Sequence, residues 1–328
     1  LMLMRRLAMG LPVAPIVRAE LKQASLHRWP WPDRRMIDIM SYDYRLKGEK
    51  TATVVTQRGC PYACTFCSHT DFYRKIEYRD PAHVAAELRE LRDRWGYRAV
   101  MLYDDETNIS GQHFEALCHE LKRGEWVWRG FIKSNLFTAE QAKAAARSGA
   151  VQLCTGGESM NAEIKRHIQK KSSVDDDTRF VRLCLENDIA PKIFSMLGLA
   201  GETEETAQEL EDWLIARARD GLRDADVTVY TPYPGTPMWE AFEKTGSYVA
   251  LGGKHGLRLV HKTDFAGETT HYKGRQGEYI SRVETFDPAT GKTLMTAEQI
   301  VAARDRVDAR FRAEVARLSG QADAKMDG

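Results

Sequence analysis

The order of short apolar and amphipathic segments constrains the fold of this chain more than any other feature. Six segments rich in apolar and β-branched residues, at 52–56, 99–103, 126–133, 151–155, 192–197 and 227–230, are typical of strands. Amphipathic segments at 81–95, 111–122, 139–147, 178–186 and 203–218 are typical of helices. This alternation predicts a parallel sheet with right-handed crossovers. We therefore predict an α/β fold, a partial (β/α)6 barrel with functional groups at the carboxyl ends of its strands.

Three regions divide the 328 residues. Residues 1–45 carry prolines and tryptophans typical of extended segments and turns, and are predicted to form an N-terminal lead-in or linker. Residues 46–245 contain the barrel. Residues 246–328 are predicted to form an α/irregular extension that covers the barrel mouth, with one late helix over 297–318. Because Leu1 opens a stretch typical of the middle of a domain, we expect a further segment upstream.

Composition narrows the class of partner. Forty-eight Lys and Arg against 47 Asp and Glu leave a formal charge of +1, which gives no global attraction to nucleic acid or to an anionic membrane. A small-molecule substrate is therefore expected. The apolar segments are too short to span a bilayer, and the first residues lack a signal-peptide pattern. These features predict a cytoplasmic protein.

Three cysteines follow the first predicted strand directly. Cys60, Cys64 and Cys67 have CxxxCxxC spacing in the segment RGCPYACTFC. Three thiolates on one tight loop can bind three of the four irons of a 4Fe–4S cluster and leave the fourth iron without a protein ligand. The spacing therefore predicts a cluster with one open coordination position at the barrel mouth.

Zinc and buried structural cysteines are the alternatives for this loop. His69 would supply the fourth ligand of a zinc site, but zinc motifs normally pair two ligand clusters and the sequence shows one. Cys118, Cys154 and Cys184 are scattered over predicted helices and strands, where a free cysteine mostly behaves as a small buried apolar residue. They do not indicate an auxiliary cluster.

Charged residues also end the second and third predicted strands. Of the adjacent carboxylates that follow residue 103, Asp104 and Glu106 are candidates to bind an amine or exchange a proton, unless they cap a helix or face solvent. Lys133 is a candidate to neutralise an anion, unless it is a surface lysine. Lys170 is a weaker candidate of the same kind.

Residues 32–312 resemble the radical S-adenosylmethionine (SAM) superfamily, in the branch of the cobalamin-dependent radical SAM methylases and the anaerobic cyclase of chlorophyll synthesis. In that branch the cysteine loop is RGCPYxCxFC, which residues 58–67 match throughout. The resemblance implies a radical SAM barrel in which a 4Fe–4S cluster reductively cleaves SAM to a 5′-deoxyadenosyl radical. It also implies a flavodoxin- or ferredoxin-type electron donor, and it places Phe66 near the adenine.

Three further segments carry the resemblance. The segment GGES at 156–159 resembles a turn that contacts SAM, GLAGET at 198–203 resembles GLPGET, and TPYPGTP at 231–237 follows the sixth strand. The resemblance implies the cofactor-binding residues Phe66, Gly156, Gly157, Glu158, Ser159, Gly198, Gly201 and Thr231. Lys170 and Tyr230, which lies near the end of the sixth strand, are added as candidates for the same role from their residue types. Glu158 is the chosen contact to the methionyl or ribose part of SAM.

The resemblance leaves two reactions open. No cobalamin-binding domain is visible, although residues 11–34 resemble the linker that follows one, so cobalamin is expected only if an upstream domain is missing. We predict hydrogen abstraction from a small polar metabolite, leading to dehydration of a cationic amino sugar in antibiotic biosynthesis, because a carboxylate-rich mouth suits a cation. The alternative is cobalamin-dependent C-methylation of a natural product. RNA-modifying relatives usually add a second cysteine trio and a basic module, and neither is evident.

Overall fold

A sheet of parallel strands with helices between them organises the computed structural model, which describes residues 6, 8–10, 30–68, 75–260 and 282–326. The strands are β1 (Arg45–Leu46), β2 (Glu49–Val54), β3 (Gln57–Arg58), β4 (Glu77–Tyr78), β5 (Ala99–Leu102), β6 (Val127–Phe131), β7 (Ala150–Glu158), β8 (Ala190–Leu197), β9 (Asp224–Val229), β10 (Ser247–Val249), β11 (Gly256–Leu259), β12 (Val283–Phe286) and β13 (Thr293–Met295). The helices are α1 (Pro81–Trp95), α2 (Gly111–Arg123), α3 (Ala139–Arg147), α4 (Ala162–His167), α5 (Val174–Leu185), α6 (Glu204–Asp220), α7 (Pro237–Thr245) and α8 (Ala297–Met326).

The main sheet has seven strands in the order β1-β2-β5-β6-β7-β8-β9. β1 pairs antiparallel with β2, and every other neighbouring pair is parallel. Parallel strands connected in chain order by helices form a curled half-barrel, so the predicted partial (β/α)6 barrel is confirmed. The main core lies between this sheet and its helices. Trp128 on β6 is fully buried there, and its ring nitrogen donates to the Ser148 carbonyl at 3.1 Å.

Polar side chains determine where the barrel helices begin. Asp80, Ser110, Thr138, Ser173 and Thr203 each accept a hydrogen bond from a backbone N–H of the first turn of their helix. The capping box of Ser173 and Asp176 explains why α5 begins at 174 rather than at the predicted 178. The short helix α4 was not predicted.

The C-terminal region contains more regular structure than its sequence pattern indicates. β10, β11, β12 and β13 form a four-stranded antiparallel sheet, and α8 extends to residue 326 rather than to the predicted 318. The strands are short and separated by a long segment, so their pattern is weak in the sequence. The Thr285 hydroxyl donates to the Glu202 carbonyl at 2.8 Å, which joins β12 to the loop after β8.

The helix α8 packs along α6 and β9. The cover over the barrel mouth stays a prediction, because residues 261–281 lie outside the described residues, as does most of the predicted lead-in at 1–45. Among the helices that the structure describes, none combines the length and the apolar character needed to cross a membrane.

Candidate active site

A cavity of about 550 Å³ opens at the carboxyl ends of β2, β5, β6 and β7. This volume is within the range of small-molecule sites. Its lining includes residues from the strand ends and from the cysteine loop: Val55, Gln57, Arg58, Cys60, Tyr62, Cys64, Phe66, Cys67, Tyr103, Asp104, Asp105, Glu106, Phe131, Lys133, Glu158 and Lys170. The structure therefore brings together the three predicted metal ligands, the three predicted catalytic residues and three of the predicted cofactor-binding residues.

Asp104 and Asp105 hold the segment that leads into the cysteine loop. Both oxygens of the buried Asp104 carboxylate accept hydrogen bonds from the Thr56 backbone N–H (2.6 Å), the Gln57 backbone N–H (3.0 Å) and the Thr56 hydroxyl (2.5 Å). Asp105 accepts from the Gly59 N–H at 2.7 Å. Gly59 has a φ of 95°, a backbone conformation that glycine adopts without strain. The carboxylates thus position the residues immediately before Cys60.

The three cysteines suit an iron–sulfur cluster by their placement. Cys64 is buried, Cys60 and Cys67 are half-buried, and all three line one cavity. Burial raises the pKa of Cys60 to about 11 and also raises that of Cys64, so both thiols stay protonated until a metal displaces the proton. The described lining contains no histidine and no fourth cysteine. This donor set fits a cluster with one iron open to SAM, while His69 lies outside the described residues.

The other cysteines are buried away from the cavity. Cys118 on α2 and Cys184 on α5 belong to the main core. Cys154 on β7 is fully buried and accepts a hydrogen bond from Arg129 at 3.2 Å. Their positions agree with the expectation that they are small buried residues rather than ligands of an auxiliary cluster.

Glu158 and Lys170 form an ion pair on one wall of the cavity. The Lys170 ammonium lies 3.0 Å from Glu158 Oε1, and both side chains are largely buried. Glu158 has a φ of 62° at an irregularity in the β7–β8 pairing, a conformation that costs energy for a residue other than glycine. Burial alone would lower the pKa of Lys170, but Glu158 and Glu106 outweigh it and raise that pKa. The strained backbone therefore holds a charged pair in the cavity.

Lys133 and Glu106 face the same cavity. The buried Lys133 ammonium lies 4.6 Å from the centroid of the Tyr62 ring. Burial lowers the pKa of Lys133. Burial raises the pKa of Glu106. Unlike its neighbours Asp104 and Asp105, the Glu106 side chain makes no hydrogen bond or ion pair with another described residue. Of the three adjacent carboxylates, Glu106 is the one available to a ligand.

Several predicted cofactor-binding residues do not line this cavity. Gly156 adjoins it, since a Cβ there would lie 2.9 Å from the Lys170 ammonium, whereas a Cβ on Gly157 would meet Met160 and Ile193. The Ser159 hydroxyl accepts from the Asn161 N–H within the following turn. Gly157 and the Ser159 side chain thus face the interior of the protein and not the cavity.

A second apolar cluster, between the barrel and the C-terminal sheet, accounts for the remaining predicted residues. Tyr230 is buried in it, and its hydroxyl has no hydrogen-bond partner among the described residues. Thr231 is also buried, Gly198 lies against Ile300, and Gly201 lies against His167 and His255. Phe66 lines the cavity and packs against this cluster, so it borders both groups of predicted SAM-binding residues.

The sequence reasoning missed the aromatic walls of the cavity. Tyr62, Tyr103 and Phe131 line it, and Tyr103 meets Phe131 edge-on with ring centroids 5.9 Å apart. Tyr62 stands inside the cysteine motif, which was a usable signal. Tyr103 and Phe131 end predicted strands, where an aromatic residue is more often part of the core.

A half-barrel with three cysteines around one cavity at its strand ends defines a class of iron–sulfur enzymes that bind a cofactor at an open iron. Residues 54–214 match the Radical SAM superfamily. The chain therefore contains a radical SAM domain, whose cofactors are a 4Fe–4S cluster and SAM.

Characterised relatives share this domain over part of their length. The anaerobic magnesium-protoporphyrin IX monomethyl ester cyclase of Cereibacter sphaeroides is 30% identical over 217 residues, 64% of this chain and 35% of that protein. The bacteriochlorophyllide d C-12(1)-methyltransferase of Chlorobaculum tepidum is 27% identical over 192 residues, 57% of this chain and 41% of that protein. The chain spans less than half the length of either relative.

A solved structure shows the same fold. The radical SAM methyltransferase TsrM from Kitasatospora setae, with cobalamin and a 4Fe–4S cluster bound, superposes with a TM-score of 0.56 at 22% identity. The match covers 66% of this chain and 43% of that one. At this identity the likeness shows the fold alone.

Proposed function

We propose that this chain is the SAM-cleaving part of an enzyme that transfers a methyl group to a carbon of a planar, largely apolar natural product. The sequence by itself favoured the dehydration of a cationic amino sugar, with cobalamin-dependent C-methylation as the alternative. The two reactions need different substrates, so the charge and shape of the cavity bear on the choice.

The charge of the cavity is the observation that carries the proposal. The amino-sugar hypothesis rested on a carboxylate-rich mouth, but Asp104 and Asp105 direct oxygens to the backbone of the segment before Cys60. Lys133 and Lys170 add two cations to the same cavity. Of the three adjacent carboxylates Asp104, Asp105 and Glu106, the last then remains available to a substrate, which does not favour a polycationic sugar.

The walls of the cavity support a flat, apolar substrate. Tyr103 is 59% exposed although it is large and apolar, and Phe131 and Tyr62 line the same opening. Aromatic side chains stack on flat ligands and bury large areas. The two relatives named above carry tetrapyrrole substrates in their names, and both substrates are planar macrocycles. This agreement supports methylation, or another reaction on a planar substrate, over sugar dehydration.

The charged residues suit the amino acid part of SAM. We assign Glu158 to the α-ammonium group of SAM, with Lys170 or Lys133 near its carboxylate, because ion pairs in a partly buried cavity are weakly screened. Cys60, Cys64 and Cys67 would hold the 4Fe–4S cluster, which when bound would supply the electron for reductive cleavage of SAM. We assign Glu106 to proton exchange with the substrate, since it faces the cavity and burial raises its pKa above the usual value of a glutamate.

A competition experiment tests the proposal. The full-length enzyme that contains this chain is reconstituted anaerobically with iron and sulfide and supplied with dithionite, hydroxocobalamin, SAM carrying a CD3 group, a chlorophyllide and an aminoglycoside. We expect mass spectrometry to find the CD3 label in the chlorophyllide and the aminoglycoside unchanged. Loss of water from the aminoglycoside without label transfer would refute methylation in favour of dehydration. No change in either substrate would refute the proposed substrate class.

A matched pair of variants tests the assignment of Glu158. Glu158→Gln keeps the size of the side chain and removes its charge, so we expect SAM to bind at least about tenfold more weakly, the effect of losing about 1.4 kcal/mol. Glu186→Gln is the control, because Glu186 is an exposed glutamate that directly follows α5 and lies outside the cavity lining. Equal SAM affinity in the two variants would contradict the assignment.

A further inference from the structure

A second cluster of metal-binding side chain types lies outside the cavity, where α4 meets the C-terminal sheet. Glu163 and His167 are four residues apart on α4, so they share one face of the helix. His255 immediately precedes β11. One ligand atom from each residue lies within 4.8 Å of the other two. The cluster therefore joins two segments that are distant in the chain.

The spacing of these atoms matches a metal coordination shell. The Glu163 Oε1 atom lies 3.7 Å from His167 Nε2 and 3.5 Å from His255 Nε2. Ligands at the zinc distances of about 2.0–2.2 Å stand roughly 3.3–3.6 Å apart at tetrahedral angles. Small side-chain movements are enough to place one ion between the three atoms.

The surroundings of the two histidines resemble the outer shell of a metal site. His167 is 1% exposed, and its Nδ1 lies 3.2 Å from the Ala200 carbonyl, which directs Nε2 towards Glu163. Metal-bound histidines typically donate their second ring N–H to such a carbonyl. A Cβ on Gly201 would lie 3.3 Å from His167 Nδ1 and 3.5 Å from His255 Cγ. The absence of a side chain at Gly201 thus leaves room for the histidine pair.

We propose that Glu163, His167 and His255 bind a divalent transition metal ion such as zinc. Three protein ligands leave one position of a tetrahedral ion for water. The ion would connect α4 and the loop after β8 to β11, and so fasten the C-terminal sheet to the barrel. This role is separate from the iron–sulfur cluster, since none of the three ligands lines the cavity.

The Arg166 guanidinium lies beside two of the proposed ligands. Its Nη2 atom lies 3.3 Å from both Glu163 Oε1 and His167 Nε2. The Arg166 side chain is 61% exposed, so it is free to swing into solvent when a cation replaces it. Arg166 is therefore expected to compete with the metal.

Zinc content and affinity test the proposal. Cluster-loaded protein, whose three loop cysteines are already occupied by iron, is incubated with zinc chloride, desalted and analysed by mass spectrometry for zinc and iron. We expect one zinc per chain and at least about tenfold weaker zinc binding in His255→Gln, a loss at the lower end of what metal-site substitutions cause. The control is His119→Gln, because His119 is an exposed histidine on α2. It is expected to bind zinc like the unmodified protein.

Arg166→Gln provides a second test that does not depend on losing a ligand. We expect this variant to bind zinc several-fold more tightly, because a competing positive charge is removed. Zinc is also expected to raise the melting temperature of the unmodified protein but not that of His255→Gln. Absence of bound zinc in the unmodified protein, or equal affinity in His255→Gln, would overturn the proposal. Weaker binding in Arg166→Gln would overturn it as well.

Discussion

Replacing Asp104 separates a positioning role from a catalytic one. Its carboxylate accepts three hydrogen bonds, from the Thr56 backbone N–H, the Thr56 hydroxyl and the Gln57 backbone N–H. Asp104→Ala leaves these buried donors without an acceptor, at about 1–1.5 kcal/mol each. We therefore expect a loss of about 3–5 kcal/mol in the free energy of unfolding. Asp104→Asn retains an oxygen for the two backbone N–H groups, so its loss at pH 7 is expected to stay near 1 kcal/mol.

The pH dependence of the same pair adds an independent check. Burial raises the pKa of Asp104 to about 6, above its unfolded value of 3.8. A raised acid pKa stabilises the fold at low pH, and this contribution is lost as the pH rises through 6. The stability of the unmodified protein relative to Asp104→Asn is thus expected to fall by about 1–1.5 kcal/mol between pH 5 and pH 8.

Urea unfolding followed by circular dichroism measures both effects. Cluster-free protein is used, because metal binding would add its own free energy to the fold. Iron content after reconstitution then reports whether the cysteine loop still binds its cluster. Equal stability of the Ala and Asn variants would refute the positioning role. So would an Asn variant that is stable and loaded with iron yet unable to support catalysis, because that result would make Asp104 a proton donor or acceptor.

Three further predictions follow from buried groups. Cys64→Ala is expected to abolish both the visible absorption of the cluster and SAM cleavage, whereas Cys118→Ala, a change in the main core, leaves the absorption intact. Burial raises the pKa of Glu202 to about 7 from 4.5, so the stability that this group contributes is lost as the pH rises through 7. Between pH 5 and pH 8.5 this loss amounts to about 2–3 kcal/mol in the free energy of unfolding, and we expect urea unfolding to show that it is absent in Glu202→Gln. Lys165→Met leaves the fully buried Asp177, now 2.6 Å from the Lys165 ammonium, without its cation, and is expected to cost about 3–5 kcal/mol in the same assay.

Each of these predictions has a result that would contradict it. SAM cleavage retained in Cys64→Ala would exclude the three-thiolate cluster. A Glu202→Gln variant with the pH profile of the unmodified protein would show that another group causes the dependence. The exposed ion pair of Arg182 and Glu186 is the control for Lys165, because breaking an exposed pair by Arg182→Ala should cost less than about 1 kcal/mol. Similar losses in the two variants would contradict the importance of burial.

The sequence by itself determined the barrel and predicted the metal ligands of the loop. Both depend on local information: the alternation of strand and helix patterns restricts the topology, and three cysteines within eight residues are neighbours in any fold. The starts of α1, α2, α3 and α6 lie within one residue of their predicted positions for the same reason, because capping residues such as Ser110 and Thr203 act on the next turn.

Only the tertiary structure decided which strand-end residues face a ligand. Asp104, Asp105 and Glu106 are adjacent in the sequence, yet the first two hold the backbone before Cys60 and only Glu106 is left for the cavity, because their partners lie about fifty residues away. Packing between segments that are distant in the chain likewise placed the Tyr230 side chain in the second apolar cluster rather than in the cavity. The residues 163, 167 and 255 meet for the same physical reason: the contact forms only when distant segments pack, and no local pattern records it.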